Sequence, residues 1–160
     1  MTRVGIGYDS HRFVAGRPLV LGGVRIPHGR GLAGHSDADA VAHALTDAIL
    51  GAAGLGDIGR MFPDSDPRWK NADSIDLLNK AFLKVVEAGF QFVHADVTVI
   101  VEKPKLAPHL AAMEAKLAQA LLAGHVSVKA KTNEGMGWIG RGEGIAVFAV
   151  ATLSGGDRAP

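Results

Sequence analysis

The sequence predicts an α+β domain, a two-layer sandwich with a mixed, mostly antiparallel sheet and helices packed on one face. Three observations predict it. Strand-like and helix-like segments follow one another in mixed order (hairpin, helix, helix, strand, helix, strand, strand) rather than in strict β-α-β alternation. The strand-like runs alternate small or apolar residues with polar ones, whereas the helix-like runs repeat apolar residues every three to four positions. No repeat and no linker divides the 160 residues, a length suited to one hydrophobic core. A single catalytic domain is expected over 1–156, with a disordered tail at 157–160.

Each element has its own signal. Residues 3–10 alternate as a strand. Residues 18–26, PLVLGGVRI, predict a hairpin turning at Gly22-Gly23, and HGRGLAGH at 28–35 is a glycine-rich loop. A helix follows, with Ser36 as expected N-cap, Asp39 three residues on as a weak capping box, apolar periodicity over 40–53 and Gly54 as stop. Residues 55–72, rich in Asp, Pro and Gly, are a loop long enough to suggest function. A second helix starts near Asp73-Ser74 and runs to Gly89, and residues 91–102, QFVHADVTVIVE, are the clearest strand. A third helix is expected over 109–123, closed by Gly124, then a strand at 125–132, a glycine-rich loop at 133–144 and a last strand, IAVFAVATL.

The bulk properties exclude several classes. A formal net charge of +1 is no footprint for nucleic acid or an acidic membrane. A negatively charged substrate therefore needs local groups or a metal. With no cysteine, disulfide scaffolds, thiolate metal sites and cysteine nucleophiles are excluded, and any metal is held by nitrogen and oxygen. No apolar run reaches the roughly 18 residues of a membrane helix. The start, MTRVGIGYDSHRF, lacks the apolar core of a signal peptide. A cytoplasmic protein is expected; a plastid stroma location would call for a transit peptide that this start does not resemble.

Four constellations could carry chemistry. Asp9 and His11 lie two apart on a strand and so share a face. With His43 they make a one-Asp, two-His set suited to Zn²⁺ or a similar divalent ion with a position open for substrate. The same residues also fit a hydrogen-bonded Asp–His pair beside a packed helix histidine. Asp39, His43 and Asp47 form one helix stripe in an apolar context, so Asp47 or Asp39 could orient His43 from behind; a solvated polar stripe is the alternative. Gly34-His35-Ser36 stands at a helix start, where free N–H groups suit a phosphate once a cation offsets Asp37 and Asp39, or where Ser36 simply caps. The loop at 57–66 offers carboxylates and glycines to hydroxyls. Lys129, Lys131 and Thr132 beside glycines suit phosphate contacts, although the spacing is not that of a nucleotide phosphate loop.

Taken together, GIGYDSHRF, LGGVRIP, GLAGHSDADAVAHALTDAILGAAGLGDIGRMFPDSDP, DVTVIVEKPKLAPH, KAKTNEG and GRGEGIA resemble the 2-C-methyl-D-erythritol 2,4-cyclodiphosphate synthase family, in order and over nearly the whole chain. The resemblance implies a homotrimer with active sites between subunits, in the methylerythritol phosphate route to isoprenoid precursors. It implies a divalent ion, usually zinc, on Asp9, His11 and His43, and Mg²⁺ or Mn²⁺ with the substrate's phosphates. It assigns transition-state stabilisation to His35 and Thr132. It assigns the erythritol phosphate side to Ser36, Asp57, Ile58, Gly59, Phe62, Pro63, Asp64, Ser65 and Asp66. The cytidine and diphosphate side falls to residues near 101–107, among them Lys105, and to Lys131, Asn133 and Glu134. Trp138 and Arg141 match the last substrate contacts. The chain departs from the family pattern at Lys131-Thr132-Asn133, where relatives carry a run of threonines, and at Trp138, where Phe is frequent. The implied substrate is nucleotide-linked and supplies its own phosphate nucleophile, which agrees with the lack of a Ser or Cys nucleophile motif. A metal-dependent phosphohydrolase and a trimeric module binding an isoprenoid diphosphate at its axis, near Arg141 and Glu143, are the competing readings.

Overall fold

The computed structural model describes residues 1–156; the tail expected at 157–160 lies outside them. Twelve elements follow in order: β1 (Thr2–Val14), β2 (Leu19–Leu21), β3 (Val24–Ile26), β4 (Gly31–Leu32), α1 (Ala40–Ala53), α2 (Ile58–Met61), α3 (Ser74–Glu87), β5 (Phe90–Ile100), α4 (Leu110–Ala120), β6 (Ser127–Lys131), α5 (Gly137–Gly140) and β7 (Gly144–Gly155). Single 3-10 turns stand at Pro67–Trp69 and Ala107–His109. The main sheet has the order β4-β1-β7-β5-β6, antiparallel except for the parallel pair β5–β6, and β2 pairs with β3 as the expected hairpin. Helices α1, α3 and α4 cover one face, so the α+β architecture read from the sequence is the one observed.

The close seating of α1 on β1 comes from small residues on both sides. Gly5 and Gly7 share β1's inward face with Asp9, His11 and Phe13. A Cβ on Gly7 would lie 1.8 Å from the Ala44 carbonyl oxygen, and one on Gly5 2.1 Å from that of Ala48. Only glycine admits the helix backbone at that distance. The facing residues of α1, Ala44, Ala48 and Ala52, are spaced at i, i+4 and i+8 and fully or nearly fully buried. Leu45, Ile49, Leu78, Val97, Val99 and Leu153 fill the remainder of the core.

The structure corrects several boundaries. β1 extends to Val14, because its pairing with β7 continues through Arg12↔Gly144 and β4 then takes over at Phe13↔Leu32. The N-cap of α1 is Asp39 rather than Ser36: its carboxylate accepts the N–H groups of Val41 and Ala42 and, from the hairpin turn, those of Gly22 and Gly23. Four backbone donors outcompete a serine hydroxyl, and Ser36 Oγ instead accepts the Ala38 N–H. Gly54 ends α1 in the left-handed region, as expected (φ 74°). The third helix stops at Ala120 with Leu122, not Gly124, at positive φ. The loops expected at 55–72 and 133–144 contain the one-turn helices α2 and α5.

Candidate functional site

Asp9, His11 and His43 meet at the end of the β1–α1 contact. His43 Nδ1 lies 3.1 Å and His11 Nε2 2.8 Å from the same Asp9 oxygen, Oδ2. One donor atom from each of the three lies within 4.8 Å of the others. His43 sits one turn into α1 rather than at its middle. The other nitrogen of His11, Nδ1, is 2.6 Å from the Ala33 carbonyl oxygen, which can only accept. That bond puts a proton on Nδ1, so Nε2 is the His11 nitrogen that faces Asp9 and would be given to a metal. Two imidazole nitrogens and a carboxylate converging on one point, half-buried, are the donor set that a divalent cation of intermediate softness takes. Burial works to raise the Asp9 pKa, but the hydrogen bonds and charges of His11 and His43 outweigh it and bring it down to about 2. For His11, burial lowers the pKa while the bond and charge of Asp9 raise it further, to a value above its usual 6.5.

A cavity of about 240 Å³ opens beside the three ligands. Of the residues assigned by resemblance to the erythritol phosphate side, Ser36, Ile58, Gly59, Phe62 and Asp64 line it, together with His35. The buried Nε2 of His35 has no protein partner and so remains available to an oxygen in the cavity. Asp57, Pro63, Ser65 and Asp66 are not among the lining residues. Asp57 caps α2 by accepting the Arg60 N–H at 2.8 Å, and Asp66 pairs with Arg68 at 2.5 Å. Asp47 does not contact His43 through any described hydrogen bond. Its carboxylate accepts the Ile58 N–H at 2.7 Å, so it ties α1 to the loop that carries Ile58 and Gly59.

Of the residues assigned to the cytidine side, Lys105 and Lys131 line a different cavity, of about 200 Å³, together with Thr132, Val101, Glu102 and Leu106, whereas Asn133 and Glu134 are not among its lining residues. Glu102 accepts the Asn133 N–H at 2.6 Å and the Gly135 N–H at 3.3 Å, which holds the turn where Glu134 takes a positive φ of 52°. This cavity belongs to β5 and β6, whereas the metal set stands on β1. One strand, β7, lies between β1 and β5 and two lie between β1 and β6, so the two cavities are set about 10–14 Å apart across the sheet at ordinary strand spacing. Trp138 lines a third, open cavity with His11, Arg12, Phe13 and Arg30, and Arg141 pairs with Glu143 at 2.9 Å on the surface.

Sequence reasoning missed four residues that build the site. Trp69 lines the 240 Å³ cavity, stacks edge-on against Phe62 with ring centroids 5.0 Å apart, and has a buried indole N–H without a partner. Arg17 donates to the Gly34 and Ser36 carbonyls, both at 2.5 Å, and so clamps the loop that carries His35. Asp37 and Ser74 stand behind His43. None has a spacing that marks it; each reaches the site through the fold.

The YgbB family matches residues 2–154. A relative from Bordetella avium named 2-C-methyl-D-erythritol 2,4-cyclodiphosphate synthase is 58% identical over 154 residues, covering 95% of both chains. The chain belongs to the 2-C-methyl-D-erythritol 2,4-cyclodiphosphate synthase family. Among solved structures, a synthase of this family in its CDP-bound form is 40% identical with a TM-score of 0.87, covering 95% of this chain and all of that one. The bifunctional IspDF of Campylobacter jejuni is 47% identical with a TM-score of 0.92, covering 96% of this chain and 42% of that one, so the synthase fold also occurs within a longer polypeptide.

Proposed function

We infer that this chain converts 4-diphosphocytidyl-2-C-methyl-D-erythritol 2-phosphate to 2-C-methyl-D-erythritol 2,4-cyclodiphosphate and CMP, acting over residues 1–156 as a single-domain phosphorus–oxygen lyase. The observation that carries this reading is the Asp9–His11–His43 cluster opening on a cavity, in a chain so similar to named synthases. An oxygen of the substrate's 2-phosphate attacks the β-phosphorus. The bond from that phosphorus to the oxygen bridging to the cytidylyl phosphate breaks, and CMP leaves with the electron pair. The nucleophile belongs to the substrate, so the protein's work is to fold the substrate back on itself and to neutralise charge. Aligning two groups of one molecule supplies up to about 7–11 kcal/mol.

Asp9, His11 and His43 are the residues that would hold Zn²⁺; bound there, it polarises phosphoryl oxygens and offsets repulsion between phosphates, as does Mg²⁺ or Mn²⁺ between the phosphates themselves. His35 and Thr132 donate to the oxygens on which charge develops. Ser36, the backbone of 57–59 and the loop 62–66 hold the erythritol phosphate, while Lys105, Lys131, Asn133 and Glu134 hold the cytidine and diphosphate, with Trp138 and Arg141 as outer contacts.

The assembly under this reading is a homotrimer. The sheet face opposite the helices presents Val4, Ile6, Tyr8, Phe148 and Val150, and Ile6 alone is 69% exposed. A contiguous apolar face of this kind is the mark of an interface. The distance between the two cavities supports a site that draws its metal set from one subunit and its cytidine pocket from another. An isoprenoid diphosphate is a candidate ligand for the axis so formed, near Arg141 and Glu143. The compartment is the cytoplasm, in keeping with a cysteine-free chain.

The test is a phosphorus-NMR assay of the purified protein with this substrate, Zn²⁺ and Mg²⁺. Stoichiometric CMP and a cyclic diphosphate are expected. Linear phosphate products, or no conversion by folded, metal-loaded protein, would overturn the reading.

A further inference from the structure

We propose that Asp37 and Ser74 form a proton-ordered relay that fixes the tautomer of His43 and thereby aims its Nδ1 lone pair at the metal position. The proposal rests on the metal reading of Asp9, His11 and His43 and concerns residues that this reading does not assign.

Ser74, the first residue of α3, is completely buried, and its hydroxyl has one hydrogen to give. Three groups surround it. It makes a very short hydrogen bond with Asp37 Oδ1, it lies 2.8 Å from His43 Nε2, and Ser36 Oγ is 3.4 Å away. An ionised carboxylate only accepts. Asp37 also accepts the Ser74 N–H on Oδ2 and the Asp39 N–H on Oδ1, both at 3.0 Å, which fixes its orientation. The Ser74 hydrogen therefore goes to Asp37, and the lone pairs of Ser74 Oγ are left facing His43 Nε2. That nitrogen must carry the hydrogen. Ser36 Oγ, 3.2 Å from it and already accepting the Ala38 N–H, offers a second acceptor. With the proton on Nε2, the Nδ1 lone pair is available to an ion placed between it and Asp9 Oδ2, 3.1 Å away.

The two histidines thus reach the same point through opposite tautomers. His11 is protonated on Nδ1 by the Ala33 carbonyl and offers Nε2, while His43 is protonated on Nε2 by the relay and offers Nδ1. Outer partners of this kind orient ligand histidines and raise their basicity. A sequence reading looks for the partner of His43 one helical turn away, at Asp39 or Asp47. The structure supplies it from a loop and another helix instead.

Asp37→Asn is the sharpest test, because it changes one atom. An Asn amide has one oxygen for two acceptor positions, one taking the Ser74 N–H and the other the Asp39 N–H and the Ser74 hydroxyl, so in either orientation the acceptor set that fixes the Ser74 hydrogen is broken. Zn²⁺ affinity is measured by competition with a chromophoric chelator, and the His43 Nε2 proton by ¹H–¹⁵N NMR of Zn²⁺-loaded protein. We expect Asp37→Asn and Ser74→Ala each to weaken Zn²⁺ binding by roughly 10–100-fold. We also expect the parent to show a protected Nε2 proton on His43 that loses its protection in both variants. His43→Ala serves as the reference for loss of the ligand itself. Unchanged affinity in folded variants, or a His43 Nε2 without a proton in the loaded parent, overturns the relay and leaves the metal site standing. The parent spectrum decides alone if neither variant folds. A parent that takes up no Zn²⁺ overturns the metal reading and the relay together.

Discussion

Asp9 is the residue on which charge converges, since both imidazoles reach its one oxygen. Its folded pKa, about 2, lies below the ordinary aspartate value of 3.8, so its contribution to stability is complete above about pH 4 and disappears as the pH falls toward 2. For metal-free protein this amounts to about 2 kcal/mol. Urea unfolding at several pH values in chelator should show it, and Asp9→Asn should flatten that part of the curve. The same scale separates His43 from Asp47. His43→Ala should remove bound Zn²⁺ and lower kcat/KM by roughly a hundredfold or more, because a metal contributes several kcal/mol of charge stabilisation. Asp47→Ala should leave Zn²⁺ affinity unchanged and raise KM, because its carboxylate holds the Ile58 N–H rather than the histidine. Metal titration and steady-state kinetics on the two variants check this. Asp9 and His11 were legible in the sequence because strand periodicity alone puts them on one face. Ser74, Asp37, Arg17 and Trp69 were not, because no spacing rule links a helix start at residue 74 or a turn at residue 17 to a strand at residue 9.

At the scale of elements, the metal set depends on how closely α1 lies on β1. Gly7 is the closest point, with the Ala44 carbonyl where its Cβ would be. Gly7→Ala must push α1 outward and carry His43 away from Asp9. We expect a loss of about 3 kcal/mol or more, as for overpacking at a site that cannot yield, and a parallel loss of Zn²⁺ affinity. Gly51, in the same helix, has no neighbouring atom within 4 Å of its would-be Cβ. Gly51→Ala should therefore stabilise by about 0.5–1 kcal/mol with Zn²⁺ affinity intact. Thermal unfolding and chelator competition on this pair separate a general effect of alanine from the loss of the seating. The helices and the hairpin were readable from apolar periodicity and the Gly22-Gly23 turn. The N-cap was not, because Asp39 wins that position through amides of a hairpin some 16 residues upstream. The one-turn helices α2 and α5 are too short to leave a periodic signal.

At the scale of the whole molecule, the sheet order separates Asp9 and His11 on β1 from the pocket at β5 and β6 proposed for cytidine, and the outer sheet face is apolar. Both features have one explanation if the catalytic site is completed by a neighbouring subunit. Complementation tests this directly. His43→Ala keeps Thr132 intact, and Thr132→Ala keeps the metal ligands intact. Each variant alone should be nearly inactive. When the two chains are co-expressed and assemble at random, a site is whole when its metal side comes from a Thr132→Ala chain and its cytidine side from a His43→Ala chain. In a heterologous ring each condition is met half the time, so about one quarter of parental activity should return. If Thr132 and His43 of one chain served the same site, every site in the mixture would carry one defect and no activity would return. Ile6→Glu, placed in the apolar face, should give a folded monomer by light scattering that has lost turnover while retaining the three metal ligands. A fully active monomer would instead require both cavities of one chain to serve one reaction across about 10–14 Å of sheet.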